Sequence, residues 1–129
     1  MDADERRSRI NATTEAVLKA AYQVSNDLGA GFLEKVYENA LTHVLRKWGF
    51  HVEQQRLISV VYDQVIVGDY VADLVVNELV LVELKAAKTL DDIHMAQCLN
   101  YLKATGLTVG LLLNFGSPRV EVKRIVHNY

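Results

Sequence analysis

One cysteine, Cys98, in a chain of 129 residues leaves no disulfide to form within it, so a folded core must come from packing alone. Nor is there a run of about 18 apolar residues, the length a membrane-spanning helix needs. The opening MDADERRSRI is charged where a secretory signal would be apolar. A cytoplasmic protein with no membrane partner is the expectation. Basic excess is also missing: the formal charge is −2 and the sequence pI about 6.1, so any contact with nucleic acid must be local. No repeat, low-complexity tract or Pro/Ser-rich linker divides the chain. With 50% of its residues apolar, it has enough to bury one core. The expected organisation is a single domain over 9–129 behind a charged, mobile segment, 1–8.

What is present is a change of period. From about Ser8 to Leu28, Val17, Ala20, Ala21, Val24 and Leu28 recur at helical spacing, and Gly29 stops the helix. Leu33, Tyr37, Ala40, Leu41, Val44 and Trp48 repeat the pattern up to Gly49. Phe50 to Val76 is rich in Val, Ile and Tyr, with Asp63-Gln64 as the turn between strands and Asn77-Glu78 as the next. Leu79 to Ala86 reads as a central strand. Thr89 and Asp92 resemble a capping box for a helix reaching Ala104, and strands near 108–114 and 120–126 finish the chain. The fold class is α/β: a central mixed β-sheet flanked by helices, in the order ααβββαββ.

Three charges interrupt the most apolar stretch: Asp73 in YVADLVV, and Glu83 and Lys85 in LVLVELKA. Burying an unpaired charge costs several kcal/mol or forces its neutralisation. A divalent cation is an economical compensation, and carboxylates suit the hard ions Mg²⁺ or Mn²⁺. Such an ion activates water and takes up charge in phosphodiester hydrolysis. Asp73 and Glu83 are the candidate ligands, with the backbone carbonyl of Leu84 as a further donor. Lys85, two residues on, shares Glu83's strand face and would orient water or stabilise the transition state. The alternative is a structural salt bridge from Lys85 to either acid.

Register tests this reading. A two-residue Asn77-Glu78 loop would pair Asp73 with Val82 and separate the acids. A three-residue loop, 77–79, would set Asp73 opposite Glu83 and Val75 opposite Leu81, and this is the expected register. On the third helix, Gln97 and Tyr101 lie four apart on one stripe, able to reach the same strand face. Glu34 and Tyr37 are neighbours at the start of the second helix. Glu34 is either a ligand or a carboxylate favoured by the helix dipole. Each tyrosine is either functional or a core aromatic. His94 reads as a solvated or capping histidine and Cys98 as a packed thiol. Lys88, Lys103, Arg119, Lys123 and Arg124 are either a phosphate-tracking strip or an ordinary solvated face.

GFLEKVY, Gly31 to Tyr37, resembles the signature of the GxxExxY family, and the likeness continues through ADLVV, VELKA and QCLNYLKATG, from about Val17 to Val126. That family is placed in the PD-(D/E)XK nuclease superfamily, whose restriction-endonuclease-like core is a mixed sheet flanked by helices. The resemblance implies Mg²⁺-dependent cleavage of DNA or RNA. By motif, Asp73 matches the superfamily aspartate, Glu83 and Lys85 the (D/E)XK pair, and Gln97 with Tyr101 the QxxxY element. Glu34 matches the acid some branches add from an N-terminal helix. The chain departs at Ala72, where proline is common, and in VSNDLGAG, where Ser25 and Ala30 replace the histidine and proline of VHxxLGPG. Two functions follow: a small metal-dependent nuclease, acting as a monomer or with a second copy of the chain, or a catalytically silent binding or regulatory module on the same fold.

Overall fold

The computed structural model describes Met1 to Tyr129. Its elements are α1 (Ala3–Leu28), α2 (Glu34–Lys47), β1 (Val52–Tyr62), β2 (Val65–Val76), β3 (Val80–Lys85), α3 (Asp92–Thr105), β4 (Val109–Asn114) and β5 (Glu121–Val126). This is the expected order. The first helix starts earlier than Ser8, because Asp2 caps it by accepting from the Glu5 amide at 2.8 Å and Asp4 and Glu5 sit in its first turn. The third helix is capped one step differently from the Thr89/Asp92 reading. Asp91 accepts from the Ile93 and His94 amides, while His94 Nδ1 accepts from the Asp91 amide. Asp91 and His94 thus form the reciprocal cap, which assigns His94 a structural task.

The five strands lie side by side in chain order, antiparallel except for β3 and β4, which run parallel and are joined by α3 as a crossover. The β1–β2 turn is the two-residue Asp63-Gln64 loop, with both φ angles positive, 51° and 66°, as the twist of a tight hairpin requires. No helix is long and apolar enough to cross a membrane.

Two cores flank the sheet. Val80, Val82 and Leu84 of β3 pack with α1 and α2, whereas Leu81 packs with Cys98, Tyr101 and Leu102 of α3. This alternation is why β3 is apolar on both faces, and each fully buried Val or Leu contributes about 1.5–3 kcal/mol. α3 lies close on β4 because Gly110 has no side chain; a Cβ there would meet Cys98 Sγ at 2.9 Å.

Alternation reverses at one point of β1 and β2. Val52 belongs to the α1/α2 core and Ile58 to the α3 core, although both are even-numbered; Leu74 and Ala72 are divided in the same way. Between them Gln55, with φ 54°, leaves the ladder that runs from Gln54↔Leu74 to Arg56↔Ala72. The residue across from it is Asp73.

Candidate active site

β2 and β3 pair only through Leu74↔Val82, Val75↔Leu81 and Val76↔Val80. This is the three-residue-loop register, and it sets Asp73 level with Glu83 where the strands part. Each acid is held by the opposite strand. Asp73 Oδ2 accepts from the Leu84 amide at 2.8 Å, and Glu83 Oε2 accepts from the Asp73 amide at 3.3 Å. The two carboxyl groups are close enough that Asp73 bears on the protonation of Glu83.

Glu83 is 7% exposed, and its Oε1 is buried with no hydrogen-bond partner. Burial first, and the adjoining Asp73 second, push its pKa up to about 9. Without a cation, therefore, Glu83 keeps its proton at neutral pH. An orphaned buried acceptor costs about 1–3 kcal/mol. A hard cation beside Asp73 would use that lone pair, so the donor set fits Mg²⁺ or Mn²⁺. No three His, Cys, Asp or Glu side chains gather into a cage. Mg²⁺ does not require one, since it keeps several waters and takes one or two carboxylates.

Glu34 opens α2 and remains outside that pair. Its pKa is raised by partial burial, then by Asp73, and is drawn down by Lys85, so its charge is felt at the site. Lys85, half-buried at the end of β3, likewise lowers the pKa of Glu83. It forms no salt bridge, so the expected alternative of an ion pair to either acid is not realised. On α3, the Gln97 amide donates to Tyr101 Oη at 3.0 Å. Tyr101 packs with Leu81, on the strand face that Glu83 shares, and burial and then Glu83 raise its pKa. Cys98 is buried, its pKa pushed up to about 12 by burial and then by Glu83. It is a packed thiol.

Tyr37 proves structural. Its hydroxyl donates to the Gly29 carbonyl at 2.6 Å and accepts from the Phe32 amide at 3.2 Å, and its ring stacks on Phe115 at 4.8 Å. It thereby fixes the 29–33 loop, whose Gly31 has φ 113°, and so sets where Glu34 starts α2. The five C-terminal-half basic residues form no single strip. Lys123 pairs with Leu112 and Arg124 with Leu111, so they face opposite sides, and Arg124 lies over the Tyr129 ring.

Three polar residues at the site were not foreseen. Glu38, 2% exposed, accepts from Lys35 at 2.9 Å and from Gln54 and Gln55 at 2.8 Å each. Gln55 also donates to Asp73 Oδ1 at 3.4 Å. Asn114, fully buried, ties off the chain after Lys85. Its Oδ1 accepts from the Ala87 and Gly116 amides at 3.0 Å each and its Nδ2 donates to the Ala87 carbonyl at 2.9 Å. Asn114 had a visible signal, an amide ending the apolar run VGLLLN; Glu38 and Gln55 had none.

Comparison with known proteins agrees with this architecture. The family model of the PD-(D/E)XK nuclease superfamily matches residues 11–125. Among solved structures, the crystal structure of SSO0001 superposes with a TM-score of 0.53 at 19% identity. The match covers 97% of this chain but 63% of that one, and at this identity it speaks for the fold alone. No curated protein matches.

Proposed function

Because the chain belongs to the PD-(D/E)XK nuclease superfamily, we propose that it is a metal-dependent nuclease of the GxxExxY type, hydrolysing phosphodiester bonds of DNA or RNA. The observation that carries this is the unpartnered, buried Glu83 Oε1 beside Asp73 at the parting of β2 and β3. Asp73 and Glu83 would hold Mg²⁺ or Mn²⁺, with the Leu84 carbonyl and Glu34 as further donors. When bound, the ion supplies a Lewis acid and lowers the pKa of coordinated water.

The chain's own groups do the rest. Lys85, free of any ion pair, keeps its ammonium available to orient the attacking water or to meet charge developing on phosphate oxygen. Gln97 is exposed and braced by Tyr101, so it can offer an N–H to a non-bridging oxygen. Asp73, held by the Leu84 amide, needs no reorganisation as the reaction proceeds. A second copy of the chain enclosing the substrate belongs to the same proposal and is read by sedimentation.

The test is cleavage of single- and double-stranded DNA and RNA with Mg²⁺ or Mn²⁺. Glu83→Ala and Lys85→Ala are expected each to abolish it while the far-UV circular dichroism is unchanged. The absence of three clustered ligands favours a second reading, a silent binding module that takes up metal without turnover. Metal-dependent cleavage that disappears in Asp73→Ala rejects it.

A further inference from the structure

Within β1, Gln55 alone has positive φ, at 54°. A long, non-glycine side chain in the left-handed region of a strand is uncommon, and such backbone strain persists only where the surroundings over-determine it. What holds Gln55 is its amide. One N–H meets Glu38 Oε1 at 2.8 Å and Asp73 Oδ1 lies 3.4 Å from the same nitrogen. Glu38 is itself a fixed post, 2% exposed and bound by Lys35 and Gln54. The two hydrogens of one amide thus stand between two carboxylates that would otherwise repel.

We infer that Gln55 is a positioning residue: anchored on buried Glu38, it turns the β1–β2 pair over and aims the Asp73 carboxylate at Glu83. The inference rests on the nuclease reading, since it gives Gln55 a purpose only if Asp73 holds a cation. The backbone and the side chain act together. The left-handed turn takes Gln55 out of the ladder opposite Asp73, and the amide then reaches across that break to Asp73 Oδ1. A purely structural Gln55 would have no reason to keep an unfavourable φ, because glycine would make the same turn without strain.

Gln55→Gly separates these roles, since it accepts φ 54° freely but has no amide. Calorimetric titration with Mn²⁺ and thermal melting of the metal-free protein read them independently. A melting temperature near the wild type's is expected, since relief of the backbone strain offsets the donor lost to Glu38 Oε1, together with Mn²⁺ binding weakened about 10–100-fold, the usual cost of losing a group that orients a ligand. Gln55→Asn tolerates the same φ with a shorter amide and is the second variant should the glycine protein not fold; the same weakening is expected. Mn²⁺ affinity within twofold of wild type in the folded variant overturns the inference while leaving the nuclease reading in place. Wild-type protein that binds no Mn²⁺ strikes the nuclease reading instead. The metal-free crystal structures of wild type and variant then decide the positioning claim: an Asp73 carboxylate turned away from Glu83 in the variant supports it, and an unmoved one overturns it.

Discussion

The Leu84 amide donates to Asp73 Oδ2 at 2.8 Å, so a carboxylate of β2 takes the place of a strand-to-strand hydrogen bond on the peptide that separates Glu83 from Lys85. One bond therefore ties Asp73 to the backbone of the segment that carries Glu83 and Lys85. Asp73→Ala leaves that amide unpaired in a closed environment and is expected to cost about 1–3 kcal/mol in urea denaturation. Asp73→Asn retains an oxygen for the Leu84 amide and is expected to keep most of the stability. The wild type is expected to melt at a higher temperature with Mn²⁺ and both variants to show no such rise, so a Mn²⁺-dependent rise that survives in Asp73→Asn would count against this ligand.

The proton on Glu83 makes metal-free stability depend on pH. Its pKa lies at about 9 in the folded protein against an ordinary 4.5, so between these values the native state holds a proton that the unfolded chain has released. Stability from this group is fully present below the lower value and is lost as pH rises through the window, by at most about 1.4 kcal/mol per pH unit. Glu83→Gln carries no such proton. The difference in unfolding free energy between wild type and Glu83→Gln is expected to shift in the variant's favour from pH 5 to pH 9, and parallel profiles would contradict the assignment. In the wild type, Mn²⁺ must displace the same proton, so its apparent affinity should increase from pH 6 to pH 8.

Tyr37→Phe removes the hydroxyl that joins the Gly29 carbonyl and the Phe32 amide while sparing the stack on Phe115. A loss of about 1 kcal/mol is expected in chemical denaturation. Faster amide exchange should be confined to residues 29–36. Exchange that increases evenly over the whole domain would mean the hydroxyl serves the global core and not the loop.

Gly116 has backbone on the side where a Cβ would project: that Cβ would lie 2.1 Å from the Ala87 carbonyl oxygen. Gly116→Ala must push residue 87 aside and disturb the segment directly after Lys85. A cost of about 3 kcal/mol, the upper end for overpacking, is expected. Cleavage should fall further than stability alone explains, as read at a temperature where the variant is still folded. Full activity in the folded variant would show that Lys85 does not depend on this loop.

Much of this architecture could be read from the chain because its signals are local. Period marked both N-terminal helices, Asp63-Gln64 marked its hairpin, and the break from polar alternation in VLVEL marked β3 as covered on both sides. The candidate acids stood out for the same reason: a charge in an apolar strand is a visible anomaly. The 77–79 loop then followed from asking which register unites them. What stayed hidden depends on contacts distant in sequence. Nothing in VEQQRL announces that Gln55 leaves the ladder, because its φ is set by Glu38 and Asp73, 17 and 18 residues away. The third-helix cap went to Asp91 in place of Thr89 because His94, three residues on, could return the bond. The basic residues of the C-terminal half looked like a strip only until β5 turned neighbouring side chains to opposite sides.

The tie between Asn114 and Ala87 sets an order on biogenesis. Glu34, Asp73, Glu83 and Lys85 all leave the ribosome before the residue that ties off the chain after β3, and β4 must first swing back through the α3 crossover to deliver it. A nascent chain halted short of Asn114 thus displays the candidate side chains without the frame that aligns them. Alignment arrives late, with translation of the fourth strand.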